Sequence, residues 1–196
     1  MIDVLLDIYD LKDEKRTGWE LRRVDDPESV AGHSWGVSFL ALNFMPENLD
    51  SEKVLKLCIV HDMAEAEVGD IAHRAVDANE EISSDEKQEL EKRAIERYSG
   101  SLESDPDKLW KEYDSKRSEE AIFVKDMDLI DMCLQALKYE NKHRYDPDEV
   151  NENFQEYEHM DEFFATTEPR LKTEKANEIF QSIKSRYESV KESGSS

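Results

Sequence analysis

Three stretches of this sequence place metal-capable side chains inside segments that otherwise read as core helix. The densest is LCIVHDMAEAEVGDIAH, from Leu57 to His73, which carries His61, Asp62, Glu65, Glu67, Asp70 and His73. On a helix, His61 and Glu65 are four apart and leave the same face, while Asp62 lies about 100° round from His61, so imidazole and carboxylate reach one cation if the helix runs tangent to it. His33 falls within the apolar run SVAGHSWG, and Asp126 and Asp128 within FVKDMDLIDM. A buried imidazole or carboxylate is costly without a partner or a metal. Any one of these stretches, taken alone, is satisfied by a core histidine bonded to a carbonyl and by solvated acids; three together call for a shared purpose. A mixed imidazole and carboxylate set with no thiolate suits Mn, Co, Fe, Mg or Zn in a reactive site better than a structural zinc site.

The elements that must position these groups are helices. Apolar residues recur at helical spacing throughout, and no segment alternates over the length of a half-buried strand. Val30, Val37, Leu40, Ala41 and Phe44 describe one helix ending at MPENLD. Asp50 and Ser51 offer capping oxygens to a second, which carries Val54, Leu57, Cys58 and His61 on one face and is expected to stop near Gly69. A third opens at Ser83 and Glu86, spaced as a capping box, and runs through Leu90, Ala94, Ile95 and Tyr98. Pro106 opens a shorter piece to Tyr113, and from about Ser118 a long helix carries Phe123, Met127, Ile130, Leu134 and Leu137. Two more polar helices follow, one around Val150 to Phe164 and one from about Pro169 to Val190, before the tail ESGSS. The expectation is a single all-α domain over 1–190, a bundle of about six to eight helices, with a disordered tail at 191–196. On the long helix the broadest apolar sector is centred near Ile130 and Leu137; Asp126 lies within it and Asp128 at its polar edge, so periodicity alone selects Asp126.

With 26 Lys plus Arg against 48 Asp plus Glu, the formal charge of −22 repels nucleic acid and anionic membrane, so neither is expected as a partner. Phosphate-bearing ligands must enter where cations locally reverse that field. The acid excess is spread along all 196 residues and reads as a solvated, salt-adapted surface. There is no apolar run of membrane-spanning length and no basic leader, and Cys58 and Cys133 sit in apolar segments, so a cytoplasmic protein without a disulfide is expected. His73, His143 and His159 read as exposed, and Trp35 and Trp110 as core or helix-contact aromatics.

The order His33, then His61-Asp62, then an aspartate on a later helix resembles the H…HD…D signature of the HD-domain metal-dependent phosphohydrolases. RTGWELR, PESVAGHSW, HDMAEAEVGDI and FVKDMDLIDMCLQALKYE resemble successive blocks of the 5'-deoxynucleotidase branch of that superfamily, in order, over roughly residues 10 to 145. The resemblance implies His33, His61, Asp62 and Asp128 as metal ligands, Co²⁺, Mn²⁺ or Mg²⁺ as the cation, and Glu65 and Asp70 as catalytic acids. For a second cation it implies Glu65, Asp70 and the carbonyl of Ile71. Arg16, Trp19, His33 and Asp70 would hold a deoxyribonucleoside 5'-monophosphate, with Trp19 against the sugar, and a homodimer is implied. RTGW separates Arg16 and Trp19 by two residues where some bacterial members have them adjacent, and Gly32 stands where many relatives carry an acid. Block alignment thus selects Asp128 where periodicity selects Asp126. The alternatives are an HD phosphohydrolase acting on another small phosphate ester or nucleotide, and a non-catalytic metal-binding assembly protein on the same fold.

Overall fold

The computed structural model describes residues 1–72, 84–149, 151–154 and 156–194, and among these the only β pairing is an isolated bridge between Lys15 and Ser29. The chain is all-α. In order, α1 spans Ile2–Tyr9, α2 Thr17–Leu21, α3 Val30–Phe44, α4 Ser51–Val60 and α5 Glu65–Val68. The remaining helices are α6 Ser84–Ser99, α7 Pro106–Ser115, α8 Glu119–Asn141, α9 Asp161–Thr167 and α10 Glu174–Gly194. The short α2 and α5 take the number above the expected six to eight, because the chain around the site is broken into single turns.

Start signals act where the sequence places them. Ser29 accepts from Gly32 N to cap α3, Asp50 from Glu52 N and Lys53 N to cap α4, Asp105 from Lys108 N to cap α7, and Ser118 from Ala121 N to cap α8. The second expected helix is interrupted: α4 ends at Val60, a run of three-residue turns carries His61 to Ala64, and α5 closes at Gly69. Gly69 adopts φ +80 and ψ 160, a region open essentially to glycine, and this turns the chain back toward Arg16. The helix expected around Val150 to Phe164 is confined to α9, after a short turn at Glu152–Phe154, since Asn151 commits its side chain to Leu21 O and Asn153 N and His159 takes a positive φ of 49. Val150 itself, like His73 and Ser83, lies outside the described residues.

α8 is the central element, packed by α3, α4, α7, α9 and α10. It buries Phe123, Met127 and Ile130 in the main core with Val37, Leu57 and Phe180, each contributing about 1.5–3 kcal/mol relative to exposure. A second core gathers Val4, Met63, Ile95, Tyr98 and Trp110 between α1, α5, α6 and α7. Trp35 is not a core residue: it is 69% exposed and stacked on Phe39 on the outer side of α3. Leu90 and Leu134 are also exposed. His159, expected at the surface, is half-buried and bonded through Nδ1 to Glu140, whereas His143 is exposed. Residues 191–194, expected in the tail, continue α10, where Lys191 pairs with Asp161 across to α9. Cys58 and Cys133 are free and buried, and burial pushes both thiols up to about 12.

Asp126 shows why α8 carries acids on more than one side. It is 1% exposed and accepts from Lys172 N, Thr173 N and Thr173 Oγ1, which fixes the entry to α10. Replacing Asp126 by alanine leaves those donors unpaired and should cost about 3 kcal/mol of unfolding free energy, read as a lower denaturant midpoint at unchanged slope. A shift below about 0.5 kcal/mol would refute the anchoring role.

Candidate active site

The buried face of α3, on which Val30, Val37, Leu40 and Ala41 meet the core, also carries His33, 1% exposed. His61 follows the last residue of α4 and points into the same space, 4% exposed. His61 Nδ1 lies 2.8 Å from Cys58 O, and a carbonyl only accepts, so Nδ1 carries the proton and Nε2 is left facing inward. His33 Nδ1 lies 2.8 Å from Asp131 Oδ2, so its Nε2 also faces the cluster, 3.4 Å from His61 Nε2.

Two carboxylates complete the group. Asp62 Oδ2 is 3.2 Å from His61 Nε2 and 3.6 Å from His33 Nε2, and Asp128 Oδ1 is 3.2 Å from His33 Nε2. Asp128 Oδ2 is held away from that centre by Tyr113 Oη at 2.8 Å and Lys125 Nζ at 2.6 Å, so a single oxygen is presented. Two imidazole nitrogens and two carboxylate oxygens converging in buried space repel one another until something positive sits between them. His33, His61 and Asp62 place ligand atoms within 4.8 Å of one another, Asp128 Oδ1 lies 3.2 Å from His33 Nε2, and this chemistry fits a divalent cation. Burial and Arg16 oppose protonation of His33, but the hydrogen bonds to Asp128 and Asp131 prevail and its pKa is pushed up to about 10. Against the cost of burial, His61, Arg16 and His33 hold Asp62 below the usual carboxylate range, and Lys125 with the two histidines holds Asp128 below it.

Arg16, at the start of α2, places Nη1 3.1 Å from Asp62 Oδ2, 3.1 Å from Asp70 Oδ1 and 3.7 Å from Glu65 Oε2. Asp70 uses its other oxygen on Thr17 N at 2.5 Å, and its carbonyl accepts from Thr17 Oγ1, so the loop after Gly69 is stitched to the start of α2. Glu65 is different: it is 6% exposed and its Oε2 has no hydrogen-bond partner. Burial and the neighbouring charges of Asp62 and Asp70 raise its pKa well above the usual value, against the opposing charge of Arg16. Of the two expected catalytic acids, Asp70 is thus engaged in holding Arg16 and the α2 backbone, and Glu65 is the one with a free oxygen. The carbonyl of Ile71 accepts from Lys87 Nζ at 3.0 Å, so a second cation there must compete with an ammonium.

Arg16, His33, Asp62, Glu65, Asp70 and Asp128 line one cavity of about 270 Å³. Its far wall is apolar: Trp19, Leu129, Met132, Phe154 and Phe163, with Arg170 and Lys125 adding positive charge. Trp19 packs against Phe163 at 4.2 Å and donates Nε1–H to Glu28 Oε1 at 3.1 Å, which fixes the indole plane. The structure therefore brings Arg16, Trp19, His33, His61, Asp62, Glu65, Asp70 and Asp128 together and sends Asp126 to α10. Sequence reasoning missed Glu28, Tyr113, Lys125 and Asp131, which act from behind; the available signal was the third acid in DMDLID, one helical turn after Asp128.

The HD domain family profile matches residues 8–171. A 5'-deoxynucleotidase of Mus musculus, HDDC2, is 39% identical over 135 residues, covering 67% of this chain and 65% of the mouse protein, just under two thirds of that relative's length. The 5'-deoxynucleotidase hdd1 of Schizosaccharomyces pombe is 36% identical over 67% of this chain and 68% of its own. The crystal structure of PH0347 from Pyrococcus horikoshii superposes with a TM-score of 0.72 at 31% identity, over 95% of this chain and 99% of that one. No helix among the described residues is long and apolar enough to cross a membrane. With a profile that spans most of its length and a His61-Asp62 pair seated at the junction of α4 and α5, this chain belongs to the HD domain family.

Proposed function

We propose that the protein is a metal-dependent phosphomonoesterase that converts deoxyribonucleoside 5'-monophosphates to deoxynucleoside and phosphate. The observation that carries this reading is the convergence of His33 Nε2, His61 Nε2, Asp62 and Asp128 beside Arg16 and a Glu65 oxygen that makes no hydrogen bond. Kinship with proteins named 5'-deoxynucleotidases supports the choice of substrate. His33, His61, Asp62 and Asp128 would hold a divalent cation, Co²⁺, Mn²⁺ or Mg²⁺; when bound, it lowers the pKa of a water and neutralises charge on phosphate oxygens.

The chain's own residues supply the rest. Arg16 would offer its planar guanidinium to the phosphate, with Asp70 and Asp62 fixing it through Nη1. Glu65, whose pKa is raised by burial, would deliver a proton to the departing 5'-oxygen. Trp19, locked by Glu28 and Phe163, forms a flat wall for the sugar that leaves little room for a 2'-hydroxyl. The two buried thiols suit a reducing cytoplasm.

Phosphate release from a panel of deoxy- and ribonucleoside monophosphates, each with Co²⁺, Mn²⁺, Mg²⁺ or Zn²⁺, should favour the deoxy series and stop on chelation. Equal rates on both series would remove the deoxy assignment, and turnover surviving exhaustive chelation would remove the mechanism. Preference for a cyclic nucleotide or triphosphate would transfer the protein to another HD phosphohydrolase class.

Glu65→Gln should lower kcat by about 10²- to 10⁴-fold while cation binding persists. Asp128→Ala should abolish cation binding in calorimetry, whereas Asp126→Ala at a temperature where it is folded should retain it; the opposite pattern would reverse the ligand assignment.

The homodimer is proposed on the outer face of α3 and α8, where Trp35, Phe39, Leu42 and Leu134 are 69, 52, 63 and 41% exposed. The terminal helix α10, by contrast, turns Phe180, Ile183 and Tyr187 inward. Two copies at −22 each can meet only through such uncharged ground. Sedimentation should give a dimer that Trp35→Glu converts to monomer; an unchanged distribution would discard this face.

A further inference from the structure

The two histidines that face the cluster are oriented by different means. His61 donates Nδ1–H to Cys58 O within its own chain segment, a bond that forms wherever α4 forms. His33 finds its partner on another helix: Asp131 Oδ2 at 2.8 Å, 98 residues away. We infer that Asp131 and Gly36 are a matched positioning pair, in which the Asp131 carboxylate fixes the His33 ring for its cation and Gly36 vacates the space that the carboxylate fills.

Three observations converge on this pairing. Asp131 is 8% exposed and its Oδ2 takes the Nδ1 proton of His33, so Nε2 is the nitrogen left to face Asp62 and Asp128. Gly36 lies one turn after His33 on the side of α3 that meets α8. A Cβ there would stand 2.2 Å from Asp131 Oδ1 and 2.9 Å from its Cγ, so the Asp131 carboxylate would have to move from its place on His33. Glycine inside a helix costs about 1 kcal/mol relative to alanine, so the position carries a penalty that the close approach explains. Glu28, whose oxygen also lies within 4.8 Å of His33 and Asp131, is held by Trp19 Nε1 and leaves the Nδ1 proton to Asp131. Carboxylate partners of metal-binding histidines fix the ring orientation and raise ligand basicity, and their loss commonly costs 10- to 100-fold in metal affinity.

This inference rests on the proposed metal site, and the test separates the two. Mn²⁺ binding is measured by calorimetry on the full chain for the unmodified protein and for His33→Ala, Asp131→Ala, Asp131→Asn, Gly36→Ala and the Gly36→Ala/Asp131→Ala double variant. Each variant's thermal midpoint is recorded without metal. Asp131→Ala and Gly36→Ala should each weaken binding by about 10- to 100-fold. The double variant should be no weaker than Asp131→Ala, since the added methyl then fills vacated space. Asp131→Asn, which still accepts from Nδ1–H, should lose less than Asp131→Ala. If His33→Ala abolishes binding while Asp131→Ala and Gly36→Ala stay within about two-fold of the unmodified protein, the positioning pair is refuted and the metal site stands. Additive losses in the double variant, or lowered midpoints with unchanged affinity, would equally refute it by assigning the residues independent or purely structural roles. An unmodified protein that binds no cation would overturn the site and the inference together.

Discussion

Like-charged and lone-pair groups do not gather in a dry interior unless the surrounding structure compels them, and this constraint organises the whole molecule. Two imidazole nitrogens 3.4 Å apart, with the oxygens of Asp62 and Asp128 beside them, are an arrangement that local sequence would disperse. It persists because three separate helical segments are packed around it: α3 brings His33, the end of α4 brings His61 and Asp62, and α8 brings Asp128. The large apolar surfaces of these helices overcome the electrostatic cost, and the cluster in turn defines where a cation can sit.

Around that centre the structure distributes compensating groups. Arg16 answers three carboxylates from the start of α2, Lys125 and Tyr113 answer one oxygen of Asp128, and Asp131 answers the far side of His33. Of the three carboxylates at Arg16, Glu65 differs from the other two in that its Oε2, 3.7 Å from Arg16 Nη1, makes no hydrogen bond. The apolar side chains of Trp19, Phe154 and Phe163 complete a cavity whose other lining residues are largely charged.

Much of this was legible in the sequence, for physical reasons that can be named. The end of α3 follows from MPENLD, and the starts of α4, α7 and α8 from Asp50, Pro106 and Ser118, because helix-start signals are local interactions. Conflict arose at Asp126 and Asp128. Periodicity recognises that a position is buried but not what it is buried against, and α8 is covered on several sides, so Asp126 satisfies the pattern by anchoring α10 while Asp128 faces the histidines. The break of α4 at His61, the outward face of Trp35 and the role of Asp131 were not legible for the same reason. Each depends on a partner distant in the chain, and a glycine such as Gly36 reveals its purpose only when the opposing carboxylate is in view.

The spacing of acids on α8 has a mechanical consequence. Asp126, Asp128 and Asp131 leave one rigid rod in three directions, toward the entry of α10, the cavity and the back of His33. A slide or roll of that rod cannot correct one of these engagements without spoiling the other two. The register of α8 is thereby fixed by three tethers at once, and the seating of the last helix and the alignment of the reactive centre become a single degree of freedom.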